Sequence, residues 1–539
     1  MPTDPAHTTT LGMIDGFLHS CVHHPSRPAL EVDGASFTYT DLLERAAVFA
    51  LTILKHKNDD THYIGVFAHR SATAFAGVLG ALLSGHGYVP LNMTYPVDRT
   101  RIMLNHSGCS IVIVDERSET QLSELLAGID RSLLLVLPHK DDTSDLRSQF
   151  PKHSFVGALE LDEVHDTAKS FDPTLIPHRP EAYVLYTSGS TGAPKGVSLT
   201  RANVDAFVSA AQLRYNITHE DRLSQCFDMT FDLSVFDMFM AWTHGACLCC
   251  PTAKEVVAPG KFVRDAGLTV WFSVPSVATF MQQFGMVKPD RYPLLRWSLF
   301  CGEALPVALS QVWQKAAPNS VIENLYGPTE LTIACTVYRF DENKTPDEAE
   351  LGTVPIGEPF HNMEAIVVDE HMKPVAPGEA GELICTGPQL ATGYLHDPEK
   401  TSAAFVRISG RSETFYRTGD LVRNPAAGKP MTFLGRVDNQ IKMRGFRIEP
   451  GEIEVVLIDE TGAPTAVAVG WPITPNGAGG IVAFVETDAL DVASLDERVK
   501  LRLPPYMVPR EYRSLAKFPR NANGKVDRKA LIATLENKA

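Results

Sequence analysis

Along the first third of the chain, short apolar runs alternate with segments of helical period. Tyr63-Ile64-Gly65-Val66-Phe67 and Ile111-Val112-Ile113-Val114 are uninterrupted apolar runs, as buried strands require. Between them, Ser71 to Leu83 has the small apolar residues of a packed helix. Such alternation from about residue 10 to 180 predicts α/β layers with parallel strands. Residues 138–155 break the pattern with polar and charged positions and predict a surface excursion. Ala182–Tyr186 is a further apolar run, and Ala466–Gly470 and Ile481–Val485 predict strands near the other end.

The run at 182–186 leads into Thr187-Ser188-Gly189-Ser190-Thr191-Gly192-Ala193-Pro194-Lys195-Gly196-Val197. Glycines let backbone N–H groups approach an anion closely. Successive N–H groups and hydroxyls can wrap a phosphate, and a lysine adds a point charge. The plain alternative is a solvated linker, but a linker seldom joins a buried strand to the helix-like segment expected after it. No Ser or Thr follows Lys195, so this is not the GxxxxGK[ST] loop.

Four other stretches carry candidate chemistry, each with an ordinary alternative. In Phe227–Asp237, aromatics stand among acids in a helix-compatible pattern. Asp232 either sits at the helix N-terminus as a cap or points into a cavity to pair with a cation. Tyr326-Gly327-Pro328 is a turn, with Thr329 and Glu330 beyond it. A carboxylate there could serve as a hard Mg²⁺ ligand beside phosphate oxygens. Asp420, in Tyr416-Arg417-Thr418-Gly419-Asp420, is either a turn acid or an acceptor for a vicinal diol. Lys525 follows Asn523-Gly524, so it rides a tight turn, where most lysines are solvated.

Taken together and in order, these stretches resemble the motifs of the adenylate-forming superfamily, in particular the amino-acid adenylation domains of nonribosomal peptide synthetases. The resemblance runs from about residue 15 to 530. It includes Gly87–Leu91 and Tyr95-Pro96, which match a motif with a packing role. It implies an α/β fold with a large N-terminal region of several subdomains, residues 1–436, and a small mobile α+β C-terminal domain, residues 437–539. Asp438, in the basic stretch Gly435–Arg447, matches the hinge. The implied substrate is ATP. Thr187, Ser188, Gly189, Ser190, Thr191 and Gly192 would wrap its phosphates with Lys195, and Thr329 would meet the α-phosphate. Tyr326 would stack on adenine, Asp420 and Arg436 would serve the ribose side, and Glu330 would hold Mg²⁺. Lys525 would be the catalytic lysine, with Thr191, Lys195 and Thr329 assisting.

Within the same resemblance, Asp232 holds the α-ammonium of an amino acid. Leu233, Phe236, Ser273, Leu299, Cys301, Leu325, Ile333 and Ala334 complete the pocket. The lining is apolar and offers no second charge, which implies a small neutral amino acid. Ala334 departs from the bulky residue common in similar pockets and enlarges the cavity. The implied acceptor is the phosphopantetheine thiol of a carrier protein. No carrier-domain serine motif occurs in the chain, so it is either a free-standing enzyme that loads a separate carrier, the expectation that its start and short tail favour, or an excised domain. Two alternatives stand beside this expectation. One is an acyl-CoA ligase acting on a small acid. The other is a non-catalytic nucleotide-binding interaction protein, which should have lost Lys525, Glu330 or Asp420.

Composition adds exclusions. A chain of 539 residues exceeds one ordinary core and suggests two or more domains. A formal net charge of −15 argues against a general nucleic-acid binder. The start Met1-Pro2-Thr3-Asp4-Pro5 lacks a basic region and an apolar core, and no long apolar run exists. A cytoplasmic protein without a membrane span is therefore expected. Cys247, Cys249 and Cys250 are clustered but lack a second ligand pair at zinc spacing, so a buried strand with reduced thiols is the expectation.

Overall fold

A computed structural model describes residues 10–189, 193–474, 476–520 and 526–536. The strand Tyr63–Phe67 is buried throughout and lies parallel between Gly87–Leu91 and Ile111–Val114. The crossover helix Ala72–Leu83 begins where the Ser71 side chain accepts the Ala74 N–H. Among the described residues this sheet has eight strands. Its far edge is Ser154–Val156, paired with Leu134–Val136. The predicted excursion at 138–155 therefore ends inside the sheet, after a short helix, Ser144–Gln149. Phe155 and Val156 are buried, but a three-residue edge strand is too short to show a period.

The phosphate-loop surroundings also differ from expectation. Lys195–Thr200 is a strand, antiparallel to Glu181–Thr187, so the loop closes a hairpin instead of leading into a helix. Val197 and Leu199 alternate onto a buried face and hold the strand in place. Helix Arg201–Arg214 begins only at Thr200, which forms a capping box with Asn203.

A second sheet has nine strands among the described residues. At its centre Val270–Ser273, Trp297–Phe300 and Val321–Tyr326 run parallel, with Ser273, Phe300 and Asn324 in register. Their carboxyl ends deliver Ser273, Cys301 and Tyr326 to one region, the usual ligand side of such sheets. Helix Leu233–Trp242, buried at every position, belongs to the apolar core shared by both large sheets.

A third sheet, built on Glu364–Val368, Ala380–Thr386 and Phe415–Arg423, carries Asp420. Beyond Arg436 come the hairpin Ile441–Met443 and Phe446–Ile448, helix Pro450–Thr461, and a three-stranded sheet. In that sheet the predicted strands Ala466–Gly470 and Ile481–Glu486 pair antiparallel. This part packs around its own apolar cluster, which includes Ile453, Leu457, Ala468, Ala483 and Val499.

All nine cysteines are free thiols, and Cys247–Cys249 is a buried strand. The Glu31 carboxylate lies beside the Cys247 and Cys249 sulfurs, held by Arg222 at 2.5 Å. No helix among the described residues is long and apolar enough to cross a membrane.

Candidate active site

Asp232 occupies the N-cap position of helix Leu233–Trp242, but its side chain does not cap. Oδ2 instead accepts the Ile333 N–H at 3.1 Å. Thr332 and Ile333 aim that N–H with φ of 55° and 73°. Left-handed backbone at two β-branched residues costs on the order of 1–3 kcal/mol each, so something must hold it. The buried Gln389 does so: its amide donates to the carbonyls of Leu331, Thr332 and Ala334. Thr332 returns a hydrogen bond from its hydroxyl to the Gln389 carbonyl at 2.5 Å. Burial pushes the Asp232 carboxyl up to about 7, against the Ile333 N–H and the Thr329 hydroxyl, with Glu330 adding to the rise.

Asp232, Leu233, Cys301 and Leu325 face a cavity of about 140 Å³. Phe236, Ser273, Leu299, Ile333 and Ala334 are fully buried and do not line it. Phe236 packs edge-on against Phe272 and Tyr215 at 5.0 and 5.8 Å. The Ser273 hydroxyl accepts from Trp271 Nε1 and donates to the Val274 carbonyl, so its polarity is satisfied within the protein. Burial pushes the Cys301 thiol well above its ordinary range, reinforced by Asp232, so it is a neutral wall.

On the phosphate side, Thr187, Ser188 and Thr329 line the same cavity. The Thr187 hydroxyl is buried and has no hydrogen-bond partner among the described residues. Glu330 is fully buried. Its Oε1 accepts from Tyr394 at 2.7 Å and Lys195 at 3.4 Å, and its Oε2 accepts from Arg447 at 3.0 Å. Burial opposes ionisation of Glu330, but Arg447, Lys195 and the Tyr394 hydroxyl outweigh it and hold the carboxyl well below the usual range. Lys195 also lies over the Tyr394 ring at 4.6 Å. A single hard carboxylate fits a Mg²⁺ that takes its other ligands from phosphates and water, once Arg447 is off the oxygen. Ser190, Thr191, Gly192 and Lys525 lie outside the described residues.

On the nucleoside side, Tyr326 donates to Asp420 Oδ2 at 2.6 Å. Arg436 donates to Oδ1 at 2.7 Å and forks onto Asp438 at 2.6 Å. Lys442 reaches Asp420 at 3.3 Å and lies 5.5 Å from the Tyr326 ring centre and 4.5 Å from that of Phe433. Of the resemblance-derived residues, Thr187, Ser188, Asp232, Leu233, Cys301, Leu325, Tyr326, Thr329, Asp420 and Arg436 line this one cavity, whereas Gly189, Lys195, Phe236, Ser273, Leu299, Glu330, Ile333, Ala334 and Asp438 do not. Gln389, Lys442 and Arg447 are not among the residues the sequence singles out. Lys442 and Arg447 stood within the noted basic stretch, but nothing local marked their partners.

The chain belongs to the AMP-binding enzyme family, whose model matches residues 17–395. Within it, the relatives are adenylation domains of nonribosomal peptide synthetases, which places the chain among AMP-forming ligases. It is 33% identical to part of tyrocidine synthase 3 of Brevibacillus parabrevis, covering 98% of this chain and 8% of that protein. It is 32% identical to part of a dimodular nonribosomal peptide synthase of Bacillus subtilis, covering 96% of this chain and 21% of that protein. The chain therefore spans only a small part of these relatives. Among solved structures it is similar to the Vibrio cholerae adenylation domain AlmE in complex with glycyl-adenosine-5'-phosphate. There the identity is 31% and the TM-score 0.86, over 99% of this chain and all of that one.

Proposed function

We propose that this protein activates a small neutral amino acid as its aminoacyl-AMP and passes the acyl group to the phosphopantetheine thiol of a carrier protein. The observation that carries this reading is Asp232, a buried carboxylate facing a cavity and paired with no cation among the described residues. A substrate ammonium supplies the missing partner. The apolar wall and the satisfied Ser273 hydroxyl support a side chain without charge and of small size, glycine included.

In this reading Asp232 orients the amino acid so that its carboxylate attacks the α-phosphorus of ATP, breaking the bond to pyrophosphate. Glu330 is the protein ligand for Mg²⁺, which would supply positive charge where anions meet. Lys525 provides a second positive charge there, while Thr329 and the loop 187–192 position the phosphates. Residues 437–539 form the mobile domain, turning about Asp438 to admit the thiol in the second half-reaction. A panel of ATP–pyrophosphate exchange assays across the amino acids tests this. Mg²⁺-dependent exchange is expected with one or a few small neutral amino acids. Exchange with none, or thioester formation only from an acid lacking the α-amino group, returns the protein to the acyl-CoA ligase reading. Free coenzyme A against a carrier bearing an unacylated phosphopantetheine thiol decides the acceptor.

A further inference from the structure

Spacing along the chain offers Cys247 and Cys249 no second ligand pair, but the fold brings them a carboxylate. Three short strands lie side by side and parallel, Arg222–Ser224, Cys247–Cys249 and Pro28–Val32. In their register Arg222 stands opposite Cys247, and Glu31 stands opposite Cys249. Residues two apart on a strand share a face, so both thiols, the carboxylate and the guanidinium meet on one face of the sheet. Cys249 Sγ lies 3.8 Å from Cys247 Sγ and 4.0 Å from Glu31 Oε2. A tetrahedral Zn²⁺ with Zn–S bonds of about 2.3 Å sets two sulfurs about 3.8 Å apart. The two thiols therefore stand at the spacing of one tetrahedral edge. Both cysteines are buried, whereas the side chains of Glu31 and Arg222 are 35% and 28% exposed. The carboxylate is the way in from solvent.

We propose that Glu31, Cys247 and Cys249 bind a thiophilic divalent cation of the Zn²⁺ class, at a site apart from the nucleotide cavity. None of the three lines that cavity. The ligating form of cysteine is the thiolate, so two metal–sulfur bonds replace two S–H bonds and two protons pass to solvent. Two thiolates and a carboxylate around a dication leave one net negative charge. Arg222, 2.5 Å from Glu31 Oε2, neutralises it. A carboxylate has two oxygens, so Glu31 can ligate with one and keep Arg222 on the other. The group has three members among the described residues, which leaves one tetrahedral position for water. Mg²⁺ keeps to oxygen ligands, so this donor set does not compete for the ion of the nucleotide site. The bound ion fastens Pro28–Val32 to the strand on its inner side. With it goes Ala35–Thr38, the outermost strand at that end of the nine-stranded sheet. Its contribution is therefore to the stability of the large region and not to the reaction.

The test uses the full chain, reduced, stripped of metal and freed of chelator. Titration with Cd²⁺ reads the thiolate-to-metal charge-transfer band in the near ultraviolet, and competition by Zn²⁺ reads the affinity. The band reports sulfur ligation alone, so histidine and carboxylate sites elsewhere are silent. In the wild type the band should saturate at one Cd²⁺ per chain. Cys247→Ser and Cys249→Ser should each lose most of it. Glu31→Gln should keep the band but bind Zn²⁺ about 10- to 100-fold more weakly. Cys335→Ser breaks another close thiol pair, Cys335 with Cys385, and should behave as wild type. Zn²⁺ should also raise the wild-type Tm, and it should slow alkylation of Cys247 and Cys249 but not of Cys335, read by peptide mass spectrometry. No band in the wild type overturns the proposal, as does a full band in both strand variants or a band lost in Cys335→Ser. Wild-type Zn²⁺ affinity in Glu31→Gln also overturns it. If the serine variants do not fold, wild-type alkylation decides, and equal rates at Cys247 and Cys249 with and without Zn²⁺ refute the site.

Discussion

Replacing Asp232 with Asn probes the amino-group anchor with little change of shape. Asp232 is 7% exposed, and its bond from the Ile333 N–H can be kept by the amide oxygen. The charge is what is lost. Removing one member of a buried charge pair costs about 2–5 kcal/mol. The amino-acid KM should therefore rise on the order of 30- to 5,000-fold, with the KM for ATP nearly unchanged.

The same group gives the wild type a pH signature. Burial holds Asp232 neutral up to about 7, whereas an ammonium substrate favours the ionised form. The folded value is raised, so the carboxylate is present above about pH 7 and is lost as pH falls through it. At about pH 6 roughly one empty site in ten is ionised, so the amino-acid KM should stand about tenfold above its plateau near pH 8. The substrate ammonium stays charged across this window. ATP–pyrophosphate exchange at saturating ATP, with amino acid varied at each pH, measures the profile. Calorimetry in two buffers of different ionisation enthalpy should show proton release on amino-acid binding to the wild type below about pH 7. Asp232→Asn should flatten the profile and abolish the release. A flat wild-type profile, or the same slope in both proteins, refutes the anchor.

Lys525→Ala should slow adenylate formation by roughly 10²–10³, as for one lost electrostatic donor, and slow thiol transfer from preformed adenylate far less. Equal losses in both half-reactions would remove the hinge account. Gln389→Ala frees three buried carbonyls on the strained turn, each worth about 1–3 kcal/mol when left unpaired. It should raise the amino-acid KM by about tenfold while leaving the KM for ATP alone, and a wild-type amino-acid KM would show that the turn holds itself.

What could be read from the sequence followed from how local each signal is. Tyr63–Phe67 and Ala72–Leu83 were legible because the strand is buried throughout and the helix from Ala74 onward, so composition alone reports it. Lys195–Thr200 was not anticipated, because its strand character rests on pairing with Glu181–Thr187 across a loop that looked like a helix entry. The edge strand Ser154–Val156 buries only two residues and borrows the rest of its stability from Leu134–Val136. Motif resemblance named the residues around the cavity, but not what each one touches. Arg447 and Glu330 are 117 positions apart, and Gln389 acts through the carbonyls of residues 331–334. Neither pairing leaves a periodicity or spacing to detect.

The buried acids nevertheless sort themselves once their partners are known. Glu330 carries Lys195 and Arg447, and Asp420 carries Arg436 and Lys442, so both charges are compensated inside the protein. Asp237 has no hydrogen-bond partner on either oxygen among the described residues, and burial drives its carboxyl far upward. It does not line the cavity, and it is a neutral core acid. Of these acids, Asp232 combines the two features that call for a ligand: it faces the cavity, and no cation among the described residues reaches it. The two compensated acids owe part of their pairing to the stretch from Arg436 to Arg447, on either side of the proposed hinge, whereas Asp232 is reached by the Ile333 N–H from the large region. Turning the small domain would therefore uncover Glu330 and Asp420 for a nucleotide and its metal. It would leave the amino-group anchor unchanged, so a single amino-acid site can serve both halves of the reaction.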